Sequence, residues 1–86
     1  MRIISQNRKI DLPYEDTVIH TEYFKTEPRM VVAIFKGEKY TLGTYSTEEK
    51  AIKAMKMLRK AWKFKTGIYH RNIIFQFPQD DDERLN

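Results

Sequence analysis

From Thr47 to Lys63 the chain contains neither Gly nor Pro, and a strand-like segment runs straight into this stretch. No other feature restricts the possible folds as much. Tyr40 to Tyr45 is aromatic and β-branched apart from Leu42 and Gly43, which suits a strand that bends as it ends. Ser46 follows, with Glu49 three residues later. That is the spacing of a capping box, in which the serine hydroxyl accepts from the Glu49 amide and the Glu49 side chain reaches back. Glu48 and Glu49 also place negative charge at the positive end of the helix dipole. The pattern predicts a helix over 47–63.

The helix has two faces. Ala51, Ile52, Met55, Leu58 and Trp62 recur at three- and four-residue steps and form an apolar stripe that reads as core. Lys53, Lys56, Lys60 and Lys63 occupy another side, with Lys50 at the start and Arg59 at the edge. From Lys50 to Arg71 the chain carries eight Lys or Arg and no Asp or Glu. Acidic partners at i,i+4 are therefore absent from this stretch, and the imbalance points to an anionic partner.

The order of the remaining elements follows from alternation and turn residues. Met1 to Ser5 and Ile10 to Leu12 read as two short strands about a polar turn, in which Asn7 tolerates positive φ. Pro13 ends this hairpin, and Tyr14, Glu15 and Asp16 make a brief turn. Thr17 to Phe24 alternates with mixed faces. Arg29 to Lys36 is the most apolar strand and is expected to be central. Gly37 supplies a tight turn, after which Glu38 to Tyr45 pairs back. Gly67 sits where a helix C-cap belongs, and Asn72 to Phe77 is a last strand closed by Pro78. The fold class is α+β: an antiparallel sheet with one main helix across a face.

Eighty-six residues make one domain, expected over 1–78. Residues 79–86 read as an acidic mobile tail, because Asp80, Asp81, Asp82 and Glu83 are consecutive. No run is long and apolar enough to cross a bilayer, and Arg2 and Gln6 interrupt any signal-like start, so no membrane association is expected. Cysteine is absent, which fits an intracellular protein. His20 and His70 are the only imidazoles and lie far apart, so neither a metal site nor a cofactor is expected. No phosphate loop, nucleophile elbow or metal-ligand spacing occurs, and the acid pairs Glu15/Asp16 and Glu48/Glu49 have turn and capping roles. The chain does not read as an enzyme, and no residue is assigned to catalysis.

What remains is a binder. Basic residues interleaved with Trp62, Phe64 and Tyr69 combine charge with stacking surface. Arg29, Arg59 and Arg71 are the candidates for bidentate phosphate contacts, because a guanidinium offers a fork of donors. Lys63 and Tyr69 complete the basic and aromatic set. The aromatic content of 13% is more than one helix and a short sheet conceal, so a homo-oligomer, a dimer or higher, is expected.

Several blocks carry a resemblance. Met1 to Gln6, Leu12 to Glu15, Tyr45 to Met55 with Met57 to Arg59, and Ile74 to Pro78 resemble a family of small proteins from phages and prophages of Gram-positive bacteria, the anti-Thoeris sponges. The resemblance implies a protein of the host bacterial cytoplasm that sequesters a small anionic cyclic nucleotide signal without cleaving it. Arg59, in the shared Met-Leu-Arg block, carries over. Two departures stand out: the link between helix and last strand is short where relatives carry a helical insert, and Gln76 stands where a related block has Arg. Gln76 is therefore included among the candidate ligand contacts. A second, local resemblance covers Lys39 to Ala54, which looks like the strand-to-helix junction of plant ethylene-response-factor domains. It implies DNA binding through a three-stranded sheet, although Glu22, Glu27 and Glu38 would then lie near phosphates. Nucleic acid is thus the alternative partner.

Overall fold

The computed structural model describes residues 1–64 and 73–86. In chain order the elements are β1 (Arg2–Ile4), β2 (Asp11–Pro13), a 3₁₀ turn (Tyr14–Asp16), β3 (Val18–Phe24), β4 (Glu27–Phe35), β5 (Glu38–Thr44), α1 (Glu48–Phe64), β6 (Ile74–Gln76) and a closing 3₁₀ turn (Glu83–Leu85). The α+β class holds. The strands, however, divide into two sheets, where the sequence suggests a single antiparallel one. One sheet has the order β3-β4-β5 and is antiparallel throughout. The other has the order β2-β1-β6, with β1 and β6 parallel. Ile3 and Phe75 stand opposite each other in that parallel pair.

The apolar strand β4 is central in its sheet, as its composition predicts. A two-residue turn joins it to β5, with Lys36 and Gly37 both at positive φ, 51° and 81°. That geometry matches the right-handed twist of the flanking strands. In the β1–β2 connection the positive φ falls on Arg8, at 66°, and not on Asn7. The Asn7 side chain instead accepts from the Ser5 hydroxyl at 2.6 Å and the Lys9 N–H at 3.0 Å, closing the turn by local bonds.

Helix α1 lies across β4. Its buried residues are Ala51, Ala54 and Leu58, each at most 1% exposed. The buried stripe is therefore rotated from the expected one: Ile52 is 38% exposed, and Met55 and Trp62 are only partly covered. The small alanines let the helix approach the sheet closely, and the larger side chains are displaced to its flank. Val31, Ala33 and Leu42 from the sheet share one core with these helix residues, and Met1, Ile3, Leu12, Phe75 and Phe77 continue it into the second sheet.

The helix cap also differs from expectation. Thr47, not Ser46, caps α1: its Oγ1 accepts from the Lys50 N–H at 3.2 Å. Ser46 is held instead by the C-terminal segment, its N–H donating to Asp80 Oδ1 at 2.7 Å. Residues 79–86, expected to hang free, pack onto the domain. Leu85 is 1% exposed within the core, and Gln79 donates to the Gln6 carbonyl at 2.6 Å. The acidic run conceals one apolar residue, and that leucine anchors it.

Candidate functional site

Beside the C-terminal half of α1 lies a cavity of about 520 Å³, lined by Tyr14, Glu15, Thr17, Ile19, Met55, Leu58, Arg59 and Trp62. Three elements build it. The helix contributes positions 55, 58, 59 and 62, which share one stripe by their three- and four-residue spacing. The 3₁₀ turn contributes Tyr14 and Glu15, placed there because Pro13 ends β2. The start of β3 supplies Ile19. The cavity exists because α1 turns its large side chains to this flank while its alanines press on the sheet.

Two aromatic rings form one wall. Tyr14 and Trp62 lie 4.9 Å apart between centroids, tilted by 41°. Arg59 sits at the exposed rim, and among the described residues it takes part in no ion pair. Glu15 is the one acid of the lining, and it already accepts from the Met1 amino group at 2.8 Å and 3.1 Å. An available guanidinium beside aromatic faces can hold an anionic group and stack a planar ring.

The other described candidates, Lys63, Arg29 and Gln76, lie apart from this cavity. Arg71 and Tyr69 lie outside the described residues. Lys63 is exposed on α1 and does not line the cavity. Arg29 is structural: its Nη1 donates to the Ser46 carbonyl at 2.8 Å, and its guanidinium lies 5.4 Å from the Phe24 ring centroid. It ties the β3–β4 hairpin to the start of the helix. Gln76 lines a smaller recess, of about 200 Å³, with Arg8, Phe77, Pro78, Gln79, Asp82 and Arg84. Of the expected residues that are described, Arg59 alone lines the aromatic cavity. Tyr14, Thr17 and Met55 also line the cavity and are not among the candidates the sequence offers. Met55, Arg59 and Trp62 share a helix stripe that the sequence displays, whereas Tyr14 reaches it only through the fold.

The face of the β3–β5 sheet away from the helix has different chemistry. His20 Nε2 and Glu22 Oε2 are 2.8 Å apart, and Lys39 Nζ lies 2.9 Å from Glu22 Oε2. These contacts hold the Glu22 carboxyl below the usual carboxylate range, Lys39 having the larger effect and His20 the next. Val18 and Ile34, opposite each other in register, add exposed apolar surface. A negative charge at the middle of this face is poorly placed for reading a duplex groove.

No group of three His, Cys, Asp or Glu that could hold a metal ion occurs among the described residues, and no described helix is long and apolar enough to cross a membrane. Comparison of the chain with protein-family models, with curated proteins and with solved structures gives no match.

Proposed function

We propose that the protein binds a small anionic nucleotide in the cavity between Tyr14 and α1 and sequesters it without cleaving it. The observation that carries this reading is the position of Arg59 at the rim of a cavity walled by Tyr14 and Trp62. The guanidinium holds phosphate, and the rings stack the base. A volume of about 520 Å³ is in the range that small-ligand sites occupy. Among the described lining residues Glu15 is the one carboxylate, and its bonds to the Met1 amino group favour binding over acid–base chemistry. The resemblance of the Met57 to Arg59 block to anti-Thoeris sponges narrows the ligand to a cyclic nucleotide signal of antiphage defence. The protein then acts in the cytoplasm of the host bacterium.

Native mass spectrometry against a panel of cyclic nucleotides and cyclic ADP-ribose isomers tests this, followed by heating to recover the ligand. Release of an intact ligand, lost in Arg59→Ala, is the expected result. A cleaved product would make the protein an enzyme. Failure to bind across the panel, together with retention of duplex DNA, would transfer the assignment to nucleic acid.

A further inference from the structure

Two three-stranded sheets have four outer strands, and three of them are protected. β2 has three residues and includes Pro13, which has no N–H to offer. β6 is equally short. The outer edge of β5 is covered by Gln6, whose N–H donates to the Leu42 carbonyl at 2.6 Å and whose Oε1 accepts from the Thr44 N–H at 3.0 Å. Such blunting is how native sheets avoid adding strands.

β3 lacks every one of these devices. It has seven residues, Val18 to Phe24, with no Pro and no Lys. Among the described residues, no group outside its sheet hydrogen-bonds its backbone. The bulge opposite Glu22 and Tyr23 falls on β4, where Arg29 is the extra residue, so β3 itself is continuous. Along this strand Val18, Tyr23 and Phe24 are 63%, 68% and 40% exposed.

We propose that β3 pairs antiparallel with β3 of a second copy of this chain, about a twofold axis at Thr21. The segment is complementary to itself in that register. Thr21 meets Thr21, His20 meets Glu22, Ile19 meets Tyr23 and Val18 meets Phe24, each of the last three twice. Threonine pairs and aromatic residues against β-branched ones are favourable cross-strand pairs, and an imidazole opposite a carboxylate can donate a hydrogen bond to it. Moving the axis to Glu22 sets carboxylate against carboxylate, and moving it to His20 sets imidazole against imidazole. The His20–Glu22 contact within one chain becomes a ring of four alternating partners. The two three-stranded sheets join into one of six strands, and the exposed residues of β3 gain their neighbours.

The dimer also completes the cavity. Ile19 lines it, and Tyr23 of the second copy lies directly opposite Ile19, on the same face of the sheet. This last point rests on the nucleotide reading. The dimer does not, and its test needs no ligand.

The chain has no cysteine, so single-cysteine variants report the register. Opposed residues are roughly 5 Å apart between Cα atoms, within disulfide range. Thr21→Cys is therefore expected to link to itself under mild oxidation. Val18→Cys alone is not, because its two copies lie on the order of 20 Å apart along the strands, but mixed with Phe24→Cys it links. In sedimentation the wild-type chain is a dimer, and Tyr23→Lys, changed at an exposed position, loses it. His20→Glu and Glu22→Lys each weaken the dimer alone, and their mixture restores it as a heterodimer. A wild-type monomer at tens of micromolar would overturn the proposal, as would self-linking of Val18→Cys at the rate of Thr21→Cys. A dimer unchanged by Tyr23→Lys would also overturn it.

Discussion

The ring of Tyr45 lies against the bare backbone of Gly43: a Cβ placed on Gly43 would stand 3.0 Å from both Cε2 and the hydroxyl oxygen of Tyr45. The bulge between Val31 and Val32 in the β4–β5 register and the absence of a side chain at Gly43 together leave room for the ring. Its hydroxyl then reaches the Pro78 carbonyl, donating at 2.9 Å. Burial, with the nearby Asp80 and Asp82 carboxylates, pushes this phenol well above its usual range, so it stays a donor at any ordinary pH.

Gly43→Ala should therefore displace a buried ring. The expected loss is about 1–3 kcal/mol, the usual cost of overpacking. Tyr45→Phe keeps the ring and removes only the bond to Pro78, for about 1 kcal/mol. Urea denaturation of the two variants separates the effects, and equal midpoints would contradict the contact.

Leu85→Ala should cost about 2–4 kcal/mol, because the side chain is buried among core residues. Deletion of residues 79–86 should cost at least as much, since it also removes Asp80 and Gln79. A drop in Tm of roughly 4–8 °C per kcal/mol is the scale for a domain of this size. An unchanged Tm after the deletion would mean that the segment does not pack as described.

The Asp80 carboxyl is held below its ordinary value of 3.8, chiefly by the Ser46 backbone N–H, then by the Ser46 hydroxyl and Lys50. A depressed folded value means that the carboxylate stabilises the fold above the unfolded value, and that this stabilisation disappears as pH falls through the folded one. Asp80→Ala should cost about 1 kcal/mol at pH 7, on the scale of a lost helix cap. The difference from wild type should vanish below the folded value. A gap that persists there would place the effect in packing, not in charge.

Trp62 is the single tryptophan of the chain and lines the cavity. Its fluorescence should change on titration with a bound nucleotide and stay constant with inorganic phosphate, which cannot stack. Arg59→Ala should weaken that response by about tenfold or more, the scale of a lost charge-assisted hydrogen bond of about 1.5–3 kcal/mol. A response to phosphate equal to that for the nucleotide would argue against stacking on Trp62.

What the sequence displays is local. The helix over Thr47 to Lys63 and the turn at Lys36 and Gly37 follow from capping, breakers and alternation, and each appears within a residue or two of expectation. Arg59 reads in the sequence as a guanidinium at the edge of the lysine face, and its place beside Met55 and Trp62 in the cavity lining is what the structure adds. What escapes is set by distant partners. Ser46 loses the cap to Thr47 because Asp80, far along the chain, takes its N–H. The division into two sheets depends on β1 choosing β6 as a parallel neighbour, which no local pattern announces. Leu85 supplies the one buried apolar contact of an acidic run that Asp80 and Gln79 also tie down, and a compositional reading averages it away.

The pairing of β1 with β6 has a consequence for the order of assembly. Gln6 and Pro78, beside the two strands, are 72 residues apart, and they are joined by the Gln6 Nε2 bond to the Pro78 carbonyl at 3.3 Å. The β3–β4–β5 meander and α1 can form from neighbours alone, but β1 has only β2 until the last strand has been made. During synthesis Ile3 and Leu12 therefore wait with an unfilled apolar side, and closure of the second sheet is a late event of large loop entropy. The ribosome must release the chain through Gln76 before the second sheet can shut.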